Sequence, residues 1–177
     1  IIMLGEIRDK ETAQIALQSA LTGHLVFSTV HTNDAAGAFT RLLDLGVEEF
    51  LLNAALVSVV SQRLARCICE KCANKHPQAD ELIEKYQLKQ FAKQFNLAEP
   101  NLLLGTGCDN CSNTGYKGRL AITEYLRCDD EIKAMPKNAD FIPAAKKYNR
   151  SIGRRTLFED GLYKVILGQT TIDEVIR

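Results

Sequence analysis

The sequence has no surplus of charge: Lys plus Arg and Asp plus Glu each number 22. Without a global basic field it lacks the electrostatic footprint of a nucleic-acid binder, and without an acidic one it does not point to basic partners. No apolar run is long enough to span a bilayer. The longest, from Phe50 to Val60, is broken by Asn53 and Ser58 and falls well short of the ~20 residues a span needs. There is no signal-peptide pattern, no internal repeat and no low-complexity tract. In the absence of secretory features, disulfides are not expected. An initiator Met is missing too. The chain opens on the apolar run Ile1-Ile2-Met3-Leu4, as expected of a piece cut from inside a longer fold.

What is present is ordinary for a globular protein: 177 residues, 46% hydrophobic and 25% charged, with room for one to two domains. Ile1 to Leu4 reads as a short buried strand. Asp9 can cap a helix running to about Thr22, with Gly23 as its stop. His24 to Val30 (HLVFSTV) is β-rich and mostly apolar, a second buried strand. Asn33 is then expected to cap a helix to about Leu45, stopped by Gly46. Glu48 to Arg66 presents Leu51, Leu52, Ala55, Leu56, Val59, Val60 and Leu64 as a broad apolar stripe, which predicts a third helix. Strand, helix, strand, helix is a βαβ pattern and implies a parallel α/β sheet.

Composition shifts at residue 67. Residues 67–77 are short, polar and cysteine-bearing. Asp80 to Asn96 reads as an amphipathic helix, Gly105 to Gly118 as a turn cluster and Leu120 to Leu126 as a strand. Short helices follow, ending with Arg155 to Leu167 and Thr171 to Arg177.

Two places carry chemistry. The first is the pair of strand ends. Ligand sites in open α/β sheets lie beyond the carboxyl ends of strands, and Glu6 and His31 close the first and second strands at that edge. Gly5 would let a backbone approach closely, while Ser28, Thr29, Thr32 and Asn33 crowd the edge with hydrogen-bond donors. An acid there suits Mg²⁺ and an attacking water, and a His donor can report whether a phosphate is present. His24 opens the second strand.

The second place is Cys69-x-x-Cys72 with Cys108-x-x-Cys111. Two C-x-x-C pairs supply the four thiolates of a closed tetrahedral Zn²⁺ site, which is structural rather than catalytic. Cys67 and Cys128 are left over; Cys67 is read as a spare, because Cys69 and Cys72 repeat the spacing of the second pair. Lys71, Lys117 and Arg66 lie near enough in sequence to offset the charge of the thiolates. In small modules such zinc contributes roughly 10–16 kcal/mol of apparent binding free energy to folding. Stripping it is expected to melt residues 67–118 first.

The succession GEIRD, a helix, LTGHLVFSTVHTNDA, TRLLDLGV, SQRLAR and the C-x-x-C pairs resembles the secretion ATPase superfamily, above all the type II secretion and type IV pilus-assembly ATPases, over nearly the whole chain. The resemblance implies a partial RecA-like, P-loop-type sheet over residues 1–66, a tetracysteine zinc subdomain over 67–118 and a helical C-terminal region over 119–177. It implies that Glu6 is the Walker-B glutamate and that His24 and His31 are the two His-box histidines. Arg41 in TRLLDLG and Arg63 in SQRL match family positions too, and would stabilise charge if they faced a neighbouring subunit's phosphates; the sequence alone makes them helix-face cations. GR-x-x-I-x-E-x-L is matched by Gly118 to Leu126, and the final RRTLFEDG and GQTTIDEVIR also resemble the family.

By the same resemblance the full-length protein would be a hexameric ATPase using ATP and Mg²⁺. It would be peripheral at the cytoplasmic face of the inner membrane and act on platform proteins there. The Walker-A motif G-x-x-x-x-G-K-S/T is absent here, as is the acidic segment between Walker A and Walker B. The chain alone is therefore expected neither to bind ATP tightly nor to hydrolyse it. A zinc-ribbon nucleic-acid-binding module is the competing class, but it predicts a basic patch with interleaved aromatics. Within the family, a DNA-transfer or competence ATPase is the alternative.

Overall fold

A computed structural model describes residues 1–176; Arg177, the last residue of the expected terminal helix, lies outside the described residues. The fold is mixed α/β, with small two-stranded sheets and nine α-helices among the described residues. It divides into two compact units, residues 1–61 with 124–154 and residues 62–123 with 155–177.

Unit 1 begins with β1 (Ile2–Met3), α1 (Lys10–Leu21) and β2 (Val26–Phe27). The expected βαβ pairing forms: β1 and β2 are parallel, with Ile2 opposite Val26 and Met3 opposite Phe27. Both strands are much shorter than expected, and they are not buried on both faces. Ile1 is 92% and Met3 82% exposed, because a parallel pair needs covering layers on both sides to bury both sets of side chains. α1 starts as expected, with the Asp9 carboxylate accepting from the Thr12 N–H at 2.8 Å, and stops at Gly23, which has φ +100°. α2 (Gly37–Asp44) has Ala36, not Asn33, at its N-cap and no side-chain bond there; Asp34 Oδ1 accepts from the Gly37 N–H at 2.8 Å.

The largest correction concerns the expected helix over 48–66. Only α3 (Glu49–Ala55) is helical, and β3 (Ser58–Ile68) follows it. The β-branched Val57, Val59 and Val60 favour the extended backbone, and the buried or half-buried Val59, Ser61, Ala65 and Cys67 fall on alternate positions, the period of a strand face. β3 pairs with β6 (Tyr116–Arg127), itself longer than expected, and the division between the units falls within both strands. The remainder of unit 1 is α6 (Asp130–Ala134) and α7 (Phe141–Ser151). Its two apolar clusters centre on Phe39, Leu126, Ile132 and Phe141, and on Ala13, Leu17, Leu42 and Leu52.

Unit 2 contains β4 (Ala73–Lys75) antiparallel to β5 (Leu103–Gly105). The helix expected over 80–96 is two helices, α4 (Ala79–Lys85) and α5 (Leu88–Gln94). They are separated at Gln87, which adopts φ 51°, a left-handed conformation that ends a helix. α8 (Leu157–Ile166) and α9 (Ile172–Ile176) complete the unit. Leu88, Leu102, Leu162, Val165 and Ile166 form its apolar core.

Candidate functional site

The parallel ladder continues beyond β1 and β2 and builds the first site. Leu4 N–H donates to Phe27 O at 2.8 Å and Ile7 N–H to Thr29 O at 2.9 Å, while the Thr29 hydroxyl donates to Gly5 O at 2.7 Å. These bonds zip the segments after both strands together and bring their side chains to one edge. Glu6 Oε1 lies 3.1 Å from His31 Nε2, and Glu6 Oε2 lies 2.5 Å from Arg8 Nη2. The hydrogen bond from Arg8 holds the Glu6 carboxyl below the usual carboxylate range, outweighing burial, with the charges of Arg8 and His31 acting the same way. A carboxylate kept ionised can accept hydrogens from water and hold a cation. Arg8 has no assigned role in the sequence reading; an arginine two residues beyond a strand-end acid was the signal available.

The sequence-derived candidates do not all converge here. His24 lies two residues before β2, with Nδ1 3.2 Å from Ser19 O and 3.4 Å from Thr22 Oγ1 at the end of α1. Arg41 is exposed on α2 in unit 1. Arg63 sits on β3 in unit 2, not on a helix face, and donates to Gln62 O at 2.9 Å. Nor is the close approach expected at Gly5 made within this chain, since a Cβ there would meet no atom within 4 Å.

Unit 2 holds the second site. Cys69, Cys72, Cys108 and Cys111 bring their sulfurs within 4.8 Å of one another. Sγ separations of 3.8 Å join Cys69 to Cys108, Cys72 to Cys111 and Cys108 to Cys111. A tetrahedral ion with Zn–S bonds of about 2.3 Å requires sulfur–sulfur edges of about 3.8 Å, so this set fits zinc. The same spacing excludes disulfides, whose S–S bond is about 2.05 Å.

The surrounding backbone suits thiolates. Burial opposes ionisation of Cys111, yet the N–H groups of Cys108 and Gly115, both 3.3 Å from Sγ, together with the neighbouring Cys108 and Cys72 thiols, hold this thiol down at about 6. Asn110 Nδ2, 3.4 Å from Cys69 Sγ, lowers that thiol as well. Cys72 lacks this degree of compensation, and burial pushes it up to about 11. Lys117 donates to Asn110 Oδ1 at 2.7 Å, whereas Arg66 is engaged elsewhere, paired with Glu174 at 2.7 Å and stacked over the Tyr116 ring. Neither Cys67 nor Cys128 joins the cluster, and burial pushes Cys128 up to about 12.

Two glycines allow the knuckles to meet. A Cβ on Gly105 would lie 1.9 Å from Gly115 O. Gly115 O accepts from the Cys69 N–H at 2.9 Å, linking the second knuckle to the first.

Comparison with known proteins gives this geometry its context. The chain is 48% identical over 176 residues to the type IV pilus assembly ATPase PilB of Thermus thermophilus, covering 99% of this chain and 19% of that protein. It is 44% identical over 178 residues to type II secretion system protein E of Pectobacterium carotovorum, covering all of this chain and 34% of that protein. The chain thus spans about a fifth to a third of the length of these relatives. The X-ray structure of the Legionella pneumophila ATPase DotB superimposes with a TM-score of 0.61 at 20% identity, over 99% of this chain and 37% of that one; this likeness concerns the fold. The model of the type II/IV secretion system protein family matches residues 1–177, and the chain belongs to that family.

Proposed function

We propose that this chain is the C-terminal part of a hexameric ATPase that powers type II secretion or type IV pilus assembly. The family match over residues 1–177 carries the reading, and it is supported by relatives named as secretion and pilus ATPases. In this reading residues 1–66 belong to a RecA-like nucleotide core, 67–118 to a zinc subdomain and 119–177 to a helical region that contacts other subunits.

Glu6, three residues beyond β1, accepts a hydrogen from the attacking water. His31, 3.1 Å away, donates to a phosphate oxygen and so distinguishes nucleotide states. His24 holds the segment leading into β2, and Arg41 and Arg63 contribute positive charge toward nucleotide in an assembled ring. Mg²⁺, bound with ATP in the full-length protein, would neutralise phosphate charge beside the Glu6 carboxylate. Cys69, Cys72, Cys108 and Cys111 would hold structural Zn²⁺, which joins the two knuckles. The proposed location is peripheral, at the cytoplasmic face of the inner membrane against platform proteins; no helix among the described residues is long and apolar enough to cross a membrane. The balanced charge gives no support to a nucleic-acid partner.

The test uses the full-length protein. Glu6→Gln is expected to reduce ATP hydrolysis by roughly a hundredfold or more, with zinc content unchanged. Hydrolysis unaffected by Glu6→Gln would overturn the assignment. The chain by itself, without the Walker-A motif, is expected to show no Mg²⁺-dependent hydrolysis; a rate in the purified chain would refute that part.

A further inference from the structure

The GR-x-x-I-x-E-x-L stretch, Gly118 to Leu126, carries a glutamate that packing alone does not call for. That residue, Glu124 on β6, is buried, with 3% exposure, although burying a carboxylate is costly unless it is hydrogen-bonded. Glu124 Oε1 accepts from the Ala35 N–H at 3.2 Å, across 89 positions of sequence. Next to Ala35, Asp34 is held twice: Oδ1 accepts from the Gly37 N–H at 2.8 Å, and Oδ2 pairs with Lys146 Nζ on α7 at 2.6 Å. The Thr32 hydroxyl donates to Asp34 O at 2.9 Å within the same loop. All of these residues belong to unit 1.

The His31 side chain is 87% exposed, so no packed wall around the imidazole sets its direction. Its direction comes from the Glu6 carboxylate, 3.1 Å away, and from the backbone on either side. Before His31, the Thr29 bonds to Gly5 and Ile7 fix the chain. After it, the anchors reaching the loop from distant sequence include Glu124 and Lys146.

We propose that Glu124 and Lys146 are positioning residues for His31, clamping residues 32–36 so that the imidazole stands against Glu6. The proposal rests on Glu6 and His31 being the hydrolysis-side pair. It gives the C-terminal elements β6 and α7 a route to the site, since a displacement of either element would move the loop that carries His31.

The experiment compares Glu124→Met, Glu124→Gln and Lys146→Met in the full-length protein, with His31→Ala as reference. Two quantities are read: hydrogen exchange of peptides covering 31–37, and kcat and KM for ATP. Methionine removes the acceptor at similar volume, whereas glutamine retains an oxygen for Ala35. Glu124→Met and Lys146→Met are expected to speed exchange in 31–37 and to lower kcat by about tenfold or more, with KM within about twofold. Glu124→Gln is expected to recover most of both. Unchanged exchange, or faster exchange with unchanged kcat, overturns the clamp. If His31→Ala itself leaves kcat intact, the reading of the site has failed, and the exchange data alone then decide whether the clamp exists. Should Glu124→Met not fold, Lys146→Met carries the same test from a partly exposed position.

Discussion

Unit 1 buries its charges singly, Glu124 and Lys137, around an aromatic pair, whereas unit 2 gathers four sulfurs in one cluster and holds a buried acid with several partners. In unit 1 the Phe39 and Phe141 rings meet edge to face at 5.1 Å, amid Ile132, Leu126 and Ala145. In unit 2 a conventional apolar cluster stands beside four cysteines and a buried acid. Asp160 there receives the Thr123 N–H at 2.9 Å and Arg155 Nε at 3.1 Å, and it pairs with Lys164. The difference teaches how short elements are ordered. Around Phe39 and Phe141, unit 1 gains mainly from burial of area, which tolerates small changes of shape. Unit 2 gains from directed bonds, which fail when one partner is removed.

Removing the metal is the most severe way to break this comparison. Chelation, or Cys108→Ser, is expected to raise protease susceptibility and hydrogen exchange across 67–118 while peptides 1–55 keep their protection; metal analysis should find about one zinc per chain, lost in the variant. Gly105→Ala should mimic that loss without touching a sulfur, because its Cβ would collide with Gly115 O. Retention of zinc by Gly105→Ala would show that the knuckles meet by another route.

Phe39→Ala should destabilise unit 1 by about 3–5 kcal/mol in denaturant unfolding and leave zinc content untouched. In unit 2, Asp160→Ala strands Arg155, Lys164 and the Thr123 N–H, with an expected loss of about 3–5 kcal/mol; a cost near zero would place the strength of this unit in its apolar cluster instead. Thr156→Ala deletes the capping box at the start of α8, in which Thr156 and Glu159 satisfy each other's backbone N–H groups, and should cost about 1 kcal/mol.

The smallest expected effect is a pH dependence within unit 1. The Lys137 side chain is 1% exposed. Its ammonium donates to the carbonyls of Ile132, Lys133 and Met135 at 2.9, 3.0 and 2.6 Å. Burial nevertheless lowers its pKa from the ordinary 10.5, against the pull of Glu49. The folded state therefore releases this proton before the unfolded state does, and stability should rise with pH between the lowered value and 10.5. Lys137→Met should abolish that slope in unfolding titrations.

Local chemistry was legible wherever a single residue decides it. Asp9 and Gly23 delimit α1 because a cap and a left-handed stop act within one turn. The C-x-x-C pairs could be read as a cluster because two intervening residues bring two sulfurs within reach of one ion. Residues 48–66 misled because Leu and Val at these spacings satisfy a helical stripe and a strand face alike; the β-branched valines and pairing with β6 decide for strand after Ala55. The burial expected of the first two strands also failed, since an apolar run does not say whether anything covers it.

The sequence alone thus determined the family, the parallel strand pair, the strand-end acid and histidine, and the four sulfurs, because each is encoded in residue type and short spacing. Only the tertiary structure decided that Arg8 grips Glu6, that Gly105 and Gly115 let two distant knuckles meet, and that Glu124 and Lys146 hold the loop after His31. Each of these contacts depends on backbone and side-chain placement that residue type and spacing do not specify.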